Sequence, residues 1–443
     1  MKILKFYSLF FIAAIQFSFS QSWMQVGNGF DQYVMTLCSD SSTGTLYAGG
    51  SFDTSGTVPI SRIARWSGAA WDSMGTGLTY GNVYTIAKYN GFIYAGGSFP
   101  NAGNAVVNYF TRWNGTGWDS IGINTSSCNV RKLCEYNGEL YVGGGFPNVV
   151  NLIVNNIARW NGTSWDTLQS GTDNIVYTLA AYNGELYVGG SFTAAGGSPA
   201  GYVAKWNGTN WQQAGGGMNG NVYCLAAHGS KLYAGGNFTL AGGNPANNIA
   251  WWDGTSWVAL GTGTNGPVSA LVSNGTELYA GGFFTVAGGN PANNIAAWDG
   301  AAWTALSSGM NGAVSALVIH NNELYAAGNF TLAGGSPANR VAKWSDATSV
   351  NSITGSEFLI YPNPVTNQFT IYDLRLTIES IEIYNVHGEK VKTIVDNRHS
   401  SVGLQLSTIN YPLTINISDL TPGIYFVAVQ TKNGAVRRKF MKR

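Results

Sequence analysis

The segment NGELYVGGSFTAAGGSP, residues 183–199, has close variants that begin at Asn137, Gly229, Gly275 and Asn321. A tryptophan recurs with this segment, at spacings of 48, 47, 47, 46, 46 and 46 residues. The tryptophans of this series are Trp23, Trp71, Trp118, Trp165, Trp211, Trp257 and Trp303. A period in the forties with short strands and Gly/Asn turns is typical of propeller blades, each a four-stranded antiparallel sheet. The repeat therefore predicts an all-β chain that contains a seven-bladed β-propeller.

One complete repeat contains four predicted strands separated by turn residues. Their sequences are IVYTLAAYN from Ile175, ELYVGGSF from Glu185, GYVAKWNG from Gly201 and TNWQQAG from Thr209. Glycine inside a strand usually marks a bulge or a close approach of two backbones. We therefore interpret the Gly-Gly pair of ELYVGG as a feature of the scaffold.

The turn between the last two strands of this repeat has the sequence Asn207-Gly208. This dipeptide favours a two-residue hairpin turn, which would place Thr209 opposite Trp206. Trp211 would then lie opposite Ala204, and both indole rings would share one face of the sheet. A small residue across from an indole leaves room for the ring, so we interpret the tryptophan pairs as packing between blades.

The two ends of the repeat region complement each other. The region starts with SWMQVG from Ser22, which corresponds to a fourth strand without its three predecessors. The last repeat stops at RVAKWS, after its third strand. We therefore predict that the N-terminal strand completes the seventh blade, which would remove an open sheet edge. The propeller is predicted to span residues 21–345.

The composition argues against several function classes. The formal net charge is +1 and only 10% of the residues are charged, so no basic surface favours nucleic acid or an anionic membrane. The Gly-x-Gly-x-x-Gly strings from Gly215 and Gly261 precede strands, so they predict turns rather than a dinucleotide site. Cys38 and Cys134 occupy the same position in two repeats that are not neighbours, which favours buried thiols over a disulfide. No catalytic residue, metal ligand or cofactor is predicted.

Both ends of the chain differ from the repeats. The first twenty residues contain two lysines, an apolar run and then small residues, which is typical of a secretory signal peptide. The apolar run is shorter than a usual membrane span, so no transmembrane segment is predicted after cleavage; an uncleaved anchor is the alternative. Residues 346–357 are predicted to be a polar linker. Residues 358–443 contain alternating strands that predict a small immunoglobulin-like β-sandwich.

The propeller repeat resembles kelch and galactose-oxidase-type propeller repeats. The resemblance is carried by NGELYVGG followed by a spaced tryptophan, and it covers residues 22–345. It implies a propeller fold and says little about function. The Cys, Tyr and His ligand set of a galactose oxidase is not evident in this chain, which weakens the case for an enzyme.

The C-terminal segment closely resembles the sorting domain of Bacteroidetes type IX secretion cargo. The residues that carry the resemblance are Tyr361, Pro362, Asn363, Pro364, Gly388, Gly423 and Tyr425. The resemblance implies export by the signal peptide, then recognition of the tail by the type IX secretion machinery. The product would be secreted or attached to the outer-membrane surface. Whether the tail is removed, and whether the product is released or attached, stays open.

The candidate binding residues lie mainly in long loops on one face of the predicted propeller. They are Asn155, Asn156, Asn247, Asn248, Trp251, Asn293 and Asn294. The amides could bind a glycan or the backbone of a partner through neutral hydrogen bonds, or they could cap the turns of their own loops. Trp251 stands where five repeats have a basic residue, and it is either an exposed contact residue or extra packing within the blade.

The function that these features favour is binding or adhesion at the cell surface, without catalysis. A glycan or a surface protein is the expected partner. The first alternative is an extracellular carbohydrate-active enzyme, a hydrolase or lyase, with its site in loop residues outside the repeat. The second alternative is a structural component of the cell surface.

Overall fold

The computed structural model describes residues 21–121, 128–346, 359–372, 378–385, 389–394, 413–431 and 434–443. These residues form strands and turns, with no helix among them. The chain divides into two units, residues 21–345 and the C-terminal residues from 346 onward. The predicted signal peptide, residues 1–20, and residues 347–357 of the predicted linker lie outside the described residues.

The first unit is a seven-bladed β-propeller, in which each blade is a four-stranded antiparallel sheet. The first strands are Val34–Asp40, Val83–Tyr89, Asn129–Tyr136, Val176–Tyr182, Val222–His228, Val268–Ser273 and Val314–His320. The second strands are Thr45–Gly50, Phe92–Gly97, Glu139–Gly145, Glu185–Gly190, Lys231–Gly236, Leu278–Gly282 and Glu323–Gly328. The third strands are Ile63–Trp66, Phe110–Trp113, Ile157–Trp160, Val203–Trp206, Ile249–Trp252, Ile295–Trp298 and Val341–Asp346. The fourth strands are Trp71–Ser73, Trp118–Ser120, Trp165–Thr167, Trp211–Gln213, Trp257–Ala259, Trp303–Ala305 and, in the seventh blade, Gln21–Gln25.

A short two-stranded hairpin lies between the second and third strands of every blade. These hairpins pair Thr54–Ser55 with Val58–Pro59, Asn101–Ala102 with Ala105–Val106, Asn148–Val149 with Leu152–Ile153, Ala194–Ala195 with Ser198–Pro199, Leu240–Ala241 with Asn244–Pro245, Val286–Ala287 with Asn290–Pro291, and Leu332–Ala333 with Ser336–Pro337. In the second blade, Leu78–Thr79 adds a third strand to the hairpin.

The first strands form a closed inner ring. Each packs against the first strand of the next blade, and Val34–Asp40 packs against Val314–His320. Strand Gln21–Gln25 lies beside Val341–Asp346 in the sheet of the seventh blade, so residues from both ends of the repeat region form one sheet. This pairing covers the edge that Val341–Asp346 would otherwise expose.

A pair of tryptophans joins the third and fourth strands of every blade. In the fourth blade, Trp206 lies directly opposite Trp211, with ring centroids 5.4 Å apart. The prediction that both rings share one face is confirmed. The predicted register was wrong, because the residue opposite Ala204 is Gln213 and not Trp211.

The turn between these strands explains the difference in register. The side-chain oxygen of Asn207 accepts hydrogen bonds from the backbone N–H groups of Thr209 and Asn210, at 3.0 and 2.8 Å. An asparagine that caps its own turn in this way closes a four-residue connection, so the strands resume pairing further along the chain than in a two-residue hairpin.

The fourth-strand tryptophan also links neighbouring blades. Nε1 of Trp211 donates a hydrogen bond to the carbonyl of Leu168 in the preceding blade, at 2.9 Å. At the junction of the seventh and sixth blades, Nε1 of Trp23 donates to the carbonyl of Leu306 at 3.1 Å. The same bond is made by Trp71, Trp118, Trp165, Trp257 and Trp303. The tryptophans therefore pack between blades, as predicted.

The Gly-Gly pair of the second strand occupies two crowded positions. In the fourth blade, a Cβ atom on Gly189 would lie 2.6 Å from Cγ1 of Val222 in the next blade. A Cβ atom on Gly190 would lie 2.1 Å from the carbonyl oxygen of Ile175, next to the β-bulge of the first strand. Both glycines therefore lie at close approaches within the scaffold, which is the role predicted from the sequence.

An ion pair joins the first two blades. The side chain of Asp40 is only 5% exposed, and both of its oxygens accept hydrogen bonds from Nζ of Lys88, at 2.7 and 2.8 Å. Burial alone would raise the pKa of Asp40, but hydrogen bonds from Lys88, Ser42 and Thr43 outweigh it and hold that pKa well below its usual range.

This pair predicts a dependence of stability on pH. Because the pKa of Asp40 is lower in the folded chain, its stabilising effect is complete above its unfolded pKa of about 4 and is lost as the pH falls below that value. Asp40→Asn should reduce the free energy of unfolding by about 2 kcal/mol at pH 7 and by less at pH 3, measured by urea unfolding. Asp72→Asn, on a fourth strand, is the control. An equal loss at both pH values would contradict this prediction.

The second unit is a β-sandwich. One sheet contains Leu359–Tyr361, Gln368–Tyr372 and Leu413–Asn416, and the other contains Lys390–Ile394, Ile378–Asn385, Gly423–Thr431 and Gly434–Lys442. Phe369 and Ile415 of the first sheet share a buried core with Ile383, Val427 and Phe440 of the second. The predicted fold class, an all-β propeller followed by a small β-sandwich, is confirmed.

Candidate functional site

The six candidate asparagines occur in pairs, each placed just before a third strand. The first member of each pair donates a hydrogen bond from Nδ2 to a backbone carbonyl of the following connection. These bonds join Asn155 to Ser170 at 2.9 Å, Asn247 to Thr262 at 3.1 Å and Asn293 to Ser308 at 3.0 Å. The second members bond in the same way, Asn156 to Thr172 at 2.8 Å, Asn248 to Thr264 at 2.8 Å and Asn294 to Met310 at 2.9 Å. The amide nitrogens therefore hold two loops of the same face together.

The backbone gives a local reason for asparagine at the second position of each pair. Asn156, Asn248 and Asn294 have φ values of 72°, 65° and 63°. Asparagine adopts this left-handed conformation more readily than most residues. The side-chain oxygen of Asn156 also accepts a hydrogen bond from the backbone N–H of Phe146, at 3.2 Å. These contacts and the backbone conformation explain the repeated asparagines as residues that stabilise turns. The side chains of Asn247 and Asn293 are also exposed.

The structure brings Asn155 and Asn156 together at a cavity of about 510 Å³ between the third and fourth blades. Ser170, Thr172 and Asp173 also line this cavity. The asparagine pairs of the fifth and sixth blades do not line this cavity, because each pair lies in its own blade. The seven candidate residues are therefore distributed around the propeller rather than gathered in one site.

Asp173 contributes the carboxylate of this cavity. Its Oδ1 accepts hydrogen bonds from the backbone N–H groups of Thr193 and Ala194, at 2.8 and 3.0 Å. Burial alone would raise the pKa of Asp173, but the hydrogen bonds from Ala194 and Thr193 outweigh it and lower that pKa. A carboxylate held ionised by backbone donors is suited to fixing the loop of the next blade, and it is a poor general acid.

Trp251 lies on the third strand of the fifth blade. In the third blade the equivalent residue, Arg159, forms an ion pair with Glu139 of the second strand, at 3.1 Å. The fifth blade has Lys231 in place of that glutamate, and Nζ of Lys231 lies 3.7 Å from the centroid of the Trp251 ring. A cation–π contact thus replaces the ion pair. The half-buried Trp251 also packs against a hydrophobic cluster that the fifth and sixth blades share, so the structure gives it a packing contact.

The two histidines of the propeller are bonded to neighbouring serines. Nδ1 of His320 lies 2.9 Å from Oγ of Ser39, and Nδ1 of His228 lies 2.7 Å from Oγ of Ser273. Burial lowers the pKa of both imidazoles. Among the described residues, no group of three or more His, Cys, Asp or Glu side chains could hold a metal ion. None of the four cysteines forms a disulfide bond.

Sequence reasoning missed a ring of side chains around the central axis. In each first strand, the residue directly before the regular pairing is the extra residue of a β-bulge. These bulge residues are Met35, Tyr84, Arg131, Tyr177, Tyr223, Ser269 and Ser315. The valine before each is fully buried, whereas the bulge residues are half-buried. A bulge re-aims a side chain, and here it brings a varied residue to the inner ring of every blade.

Contacts between neighbouring blades show that these side chains lie next to one another. The Arg131 guanidinium carbon lies 4.1 Å from the centroid of the Tyr84 ring, and the rings of Tyr177 and Tyr223 are 5.5 Å apart. A signal for this ring exists in the sequence. The position varies among Met, Tyr, Arg and Ser, while the valine before it is the same in all seven repeats.

Residues 362–364 of the predicted sorting motif follow the strand Leu359–Tyr361. The Asn363-Pro364 peptide bond is cis, and Oδ1 of Asn363 accepts a hydrogen bond from the backbone N–H of Met441 at 2.9 Å. Tyr361 pairs with Thr370 on the next strand, and Pro362 is exposed. The turn is thus bonded to the last strand of the chain.

Two other residues of the predicted motif lie on the strand Gly423–Thr431. Gly423 pairs with Lys442, and the buried Tyr425 donates a hydrogen bond from its hydroxyl to the carbonyl of Thr421 at 2.9 Å. Gly388 lies outside the described residues. Residues 359–443 match the family model of the secretion system C-terminal sorting domain. The sorting domain identifies the chain as a secreted or cell-surface protein exported by type IX secretion, and it implies an interaction with that machinery.

The other comparisons do not extend to the propeller's function. No curated protein matches the chain. Among solved structures, the computationally designed Ika4 protein is similar to 37% of the chain and 92% of its own length, with 16% identity and a TM-score of 0.28. A likeness at this level carries no argument about the fold. In the part of the chain that the structure describes, no helix is long and apolar enough to span a membrane.

Proposed function

We propose that the propeller is a non-catalytic binding or adhesion module that recognises a glycan or a surface protein outside the cell. In this proposal residues 1–20 are a cleaved signal peptide, residues 21–345 bind the partner and residues 358–443 direct export. The repeats are of the kelch-like type, on the strength of their Gly-Gly and tryptophan positions. The product is released or attached to the outer-membrane surface.

The observation that carries this proposal is the polar lining of the cavity between the third and fourth blades. The side-chain oxygen of Asn155 and the hydroxyl of Ser170 are neutral polar groups there, whereas the buried Thr172 donates its hydroxyl to the carbonyl of Asn174. Such groups suit hydroxyls and peptide amides better than charged ligands. Glycoside hydrolysis usually needs two carboxyl groups that flank the scissile bond. The residues lining the cavity include one carboxylate, Asp173, which backbone N–H groups already hold. This favours binding over the hydrolase alternative.

A glycan array probed with the purified full chain tests this proposal. Asn155→Ala should weaken binding of the recognised glycan by about fivefold, because it removes a polar group of the cavity. Asn247→Ala is the matched control, since it removes an amide that makes the same bond to its own loop in another blade. A control that loses as much affinity as Asn155→Ala would move the site away from the cavity. A chain that binds no glycan would leave a protein as the partner.

A further inference from the structure

We propose that the axial opening formed by the bulge residues is a second binding site, and that it takes an acidic sugar residue of a polysaccharide. This inference goes beyond the proposed function, because the site lies on the propeller axis and not in the cavity between two blades. It assigns a ligand class, an anionic saccharide that carries a carboxylate or a sulfate.

The bulge residues lie in a ring around the propeller axis. The seven first strands pack against one another in a closed circle, so their bulge residues surround the central channel. The bulges lie where each first strand begins, next to the connection from the preceding blade. The half-buried side chains at this level are therefore at the channel's opening on the loop face, where an external ligand can reach them.

Arg131 brings a positive charge to the opening. Nε of Arg131 donates a hydrogen bond to the neutral side chain of Asn129 at 2.9 Å, and the guanidinium lies against the Tyr84 ring. Within the described residues, no carboxylate pairs with Arg131, and residues 122–127, which precede it, contain no acidic residue. A half-buried guanidinium with no counter-charge favours an anionic ligand, since a carboxylate or sulfate can bond to it in a bidentate manner.

Lys132 adds a second positive charge near the axis. The first strands of the first, third and fifth blades carry the thiols of Cys38, Cys134 and Cys224. Burial raises the pKa of all three, and the Lys132 ammonium opposes that shift at each. Lys132 follows Arg131 on the first strand of the third blade, where it pairs with Gly143 of the second strand, so this charge belongs to the inner ring of strands. Three other repeats have threonine at the position of Lys132, so this charge is particular to the third blade.

The carboxylates of the first strands, those of Asp40 and Glu135, lie away from the bulges. Asp40 is held by Lys88, and the exposed Glu135 lines a second cavity together with the tight-turn residues Asn137 and Asn183. These groups lie at the far ends of the first strands from the bulges. At their bulge ends the inner strands therefore carry two basic residues and no carboxylate, while Asp31 and Asp173 in the connections before them accept hydrogen bonds from backbone N–H groups.

The aromatic residues favour a sugar as the carrier of the anion. Tyr177 and Tyr223 form an edge-to-face pair on the fourth and fifth blades, and both are half-buried. The hydroxyl of Tyr84 lies 3.3 Å from Nδ2 of Asn82. Aromatic faces pack against the apolar face of a sugar ring, while phenol hydroxyls bond to its hydroxyl groups. Two cations are too few for a nucleic acid backbone, which is bound through many phosphates.

Other repeats show which residues the fold accepts at the positions to be substituted. Serine occupies the bulge position in the sixth and seventh blades, so Arg131→Ser and Tyr223→Ser place a residue there that the scaffold accepts. Arg65→Ser is the matched control for charge, because Arg65 is an exposed arginine on a third strand. Lys132→Thr restores the residue that three other repeats have.

Calorimetry with the purified full chain tests the site, with polygalacturonate, dextran sulfate, unmodified dextran and poly-glutamate as probes. We expect the chain to bind polygalacturonate or dextran sulfate and not unmodified dextran. Comparing the affinity for polygalacturonate with that for dextran sulfate separates recognition of a carboxylate from recognition of a sulfate. Arg131→Ser should weaken that binding by about tenfold or more, Tyr223→Ser should weaken it less, and Arg65→Ser should leave it unchanged. Affinity should also fall as salt rises, and this dependence should be smaller in Arg131→Ser.

Three results would overturn the inference. One is the absence of binding to either anionic polysaccharide, and another is binding that Arg131→Ser and Tyr223→Ser leave unchanged. The third is binding of poly-glutamate as tight as that of polygalacturonate, because the site would then recognise charge without the sugar ring. None of these results touches the proposed function, which rests on the cavity at Asn155 and is tested separately by the effect of Asn155→Ala on the glycan array.

Discussion

Trp23→Ala is expected to reduce the free energy of unfolding of the propeller by about 3–5 kcal/mol, which is typical of removing a buried aromatic side chain. Trp23 is 5% exposed, and its ring lies 5.1 Å from that of Trp344. Its Nε1 also donates to the carbonyl of Leu306 in the sixth blade. The substitution therefore leaves a cavity between two strands that lie at opposite ends of the repeat region, and it breaks one of the bonds between blades.

Urea unfolding of Trp23→Ala and of Met24→Ala measures this effect. Met24 lies on the same strand but is 42% exposed, so its truncation should cost less than about 1 kcal/mol. Size-exclusion chromatography should show self-association of Trp23→Ala, because a loosened N-terminal strand exposes the edge of Val341–Asp346. If Trp23→Ala unfolded at the same urea concentration as Met24→Ala, the N-terminal strand would not be what closes the ring.

The blade architecture was predictable because the repeat period and the tryptophan spacing are properties of the sequence alone. The register between the third and fourth strands was not, since it depends on which groups Asn207 bonds. The dipeptide Asn207-Gly208 favours a two-residue turn in isolation, yet the Asn207 side chain caps two N–H groups and lengthens the connection. The observed register has Trp206 paired directly with Trp211, which differs from the register of the turn that the dipeptide favours in isolation.

The candidate site was less predictable than the fold. The asparagines recur in three blades, where they adopt the left-handed backbone and bond one loop to the next. The other four blades have Arg62, Tyr109, Tyr202 and Arg340 at the same position with a positive φ, so the amide there is one of several residues that the turn accepts. The bulge residues carry no motif, and only the closed ring of first strands brings Tyr84 beside Arg131 and Tyr177 beside Tyr223. The site that we propose on the axis thus lies at the position that varies within an otherwise constant strand.

Gly190→Ala is expected to destabilise the propeller by about 3 kcal/mol or more, because it overpacks a site that has no room to relax. The new Cβ atom would lie 2.1 Å from the carbonyl oxygen of Ile175, and a backbone atom held at a β-bulge cannot turn away as a side chain can. Gly189→Ala should cost less, since its nearest neighbour is a methyl group of Val222 at 2.6 Å. The seventh blade supports this order, because it has Ala327 at the position of Gly189 but keeps glycine at the position of Gly190.

Gly117→Ala is the control for this comparison, since a Cβ atom there would meet no atom within 4 Å and the backbone has no positive φ. Chemical denaturation of the three variants should rank them Gly190→Ala, Gly189→Ala and Gly117→Ala, from the largest loss of stability to none. Equal losses for Gly189→Ala and Gly190→Ala would mean that the first strand shifts to accommodate the methyl group. The bulge would then be adjustable, and the bulge side chains around the axis would not be held in fixed positions for a ligand.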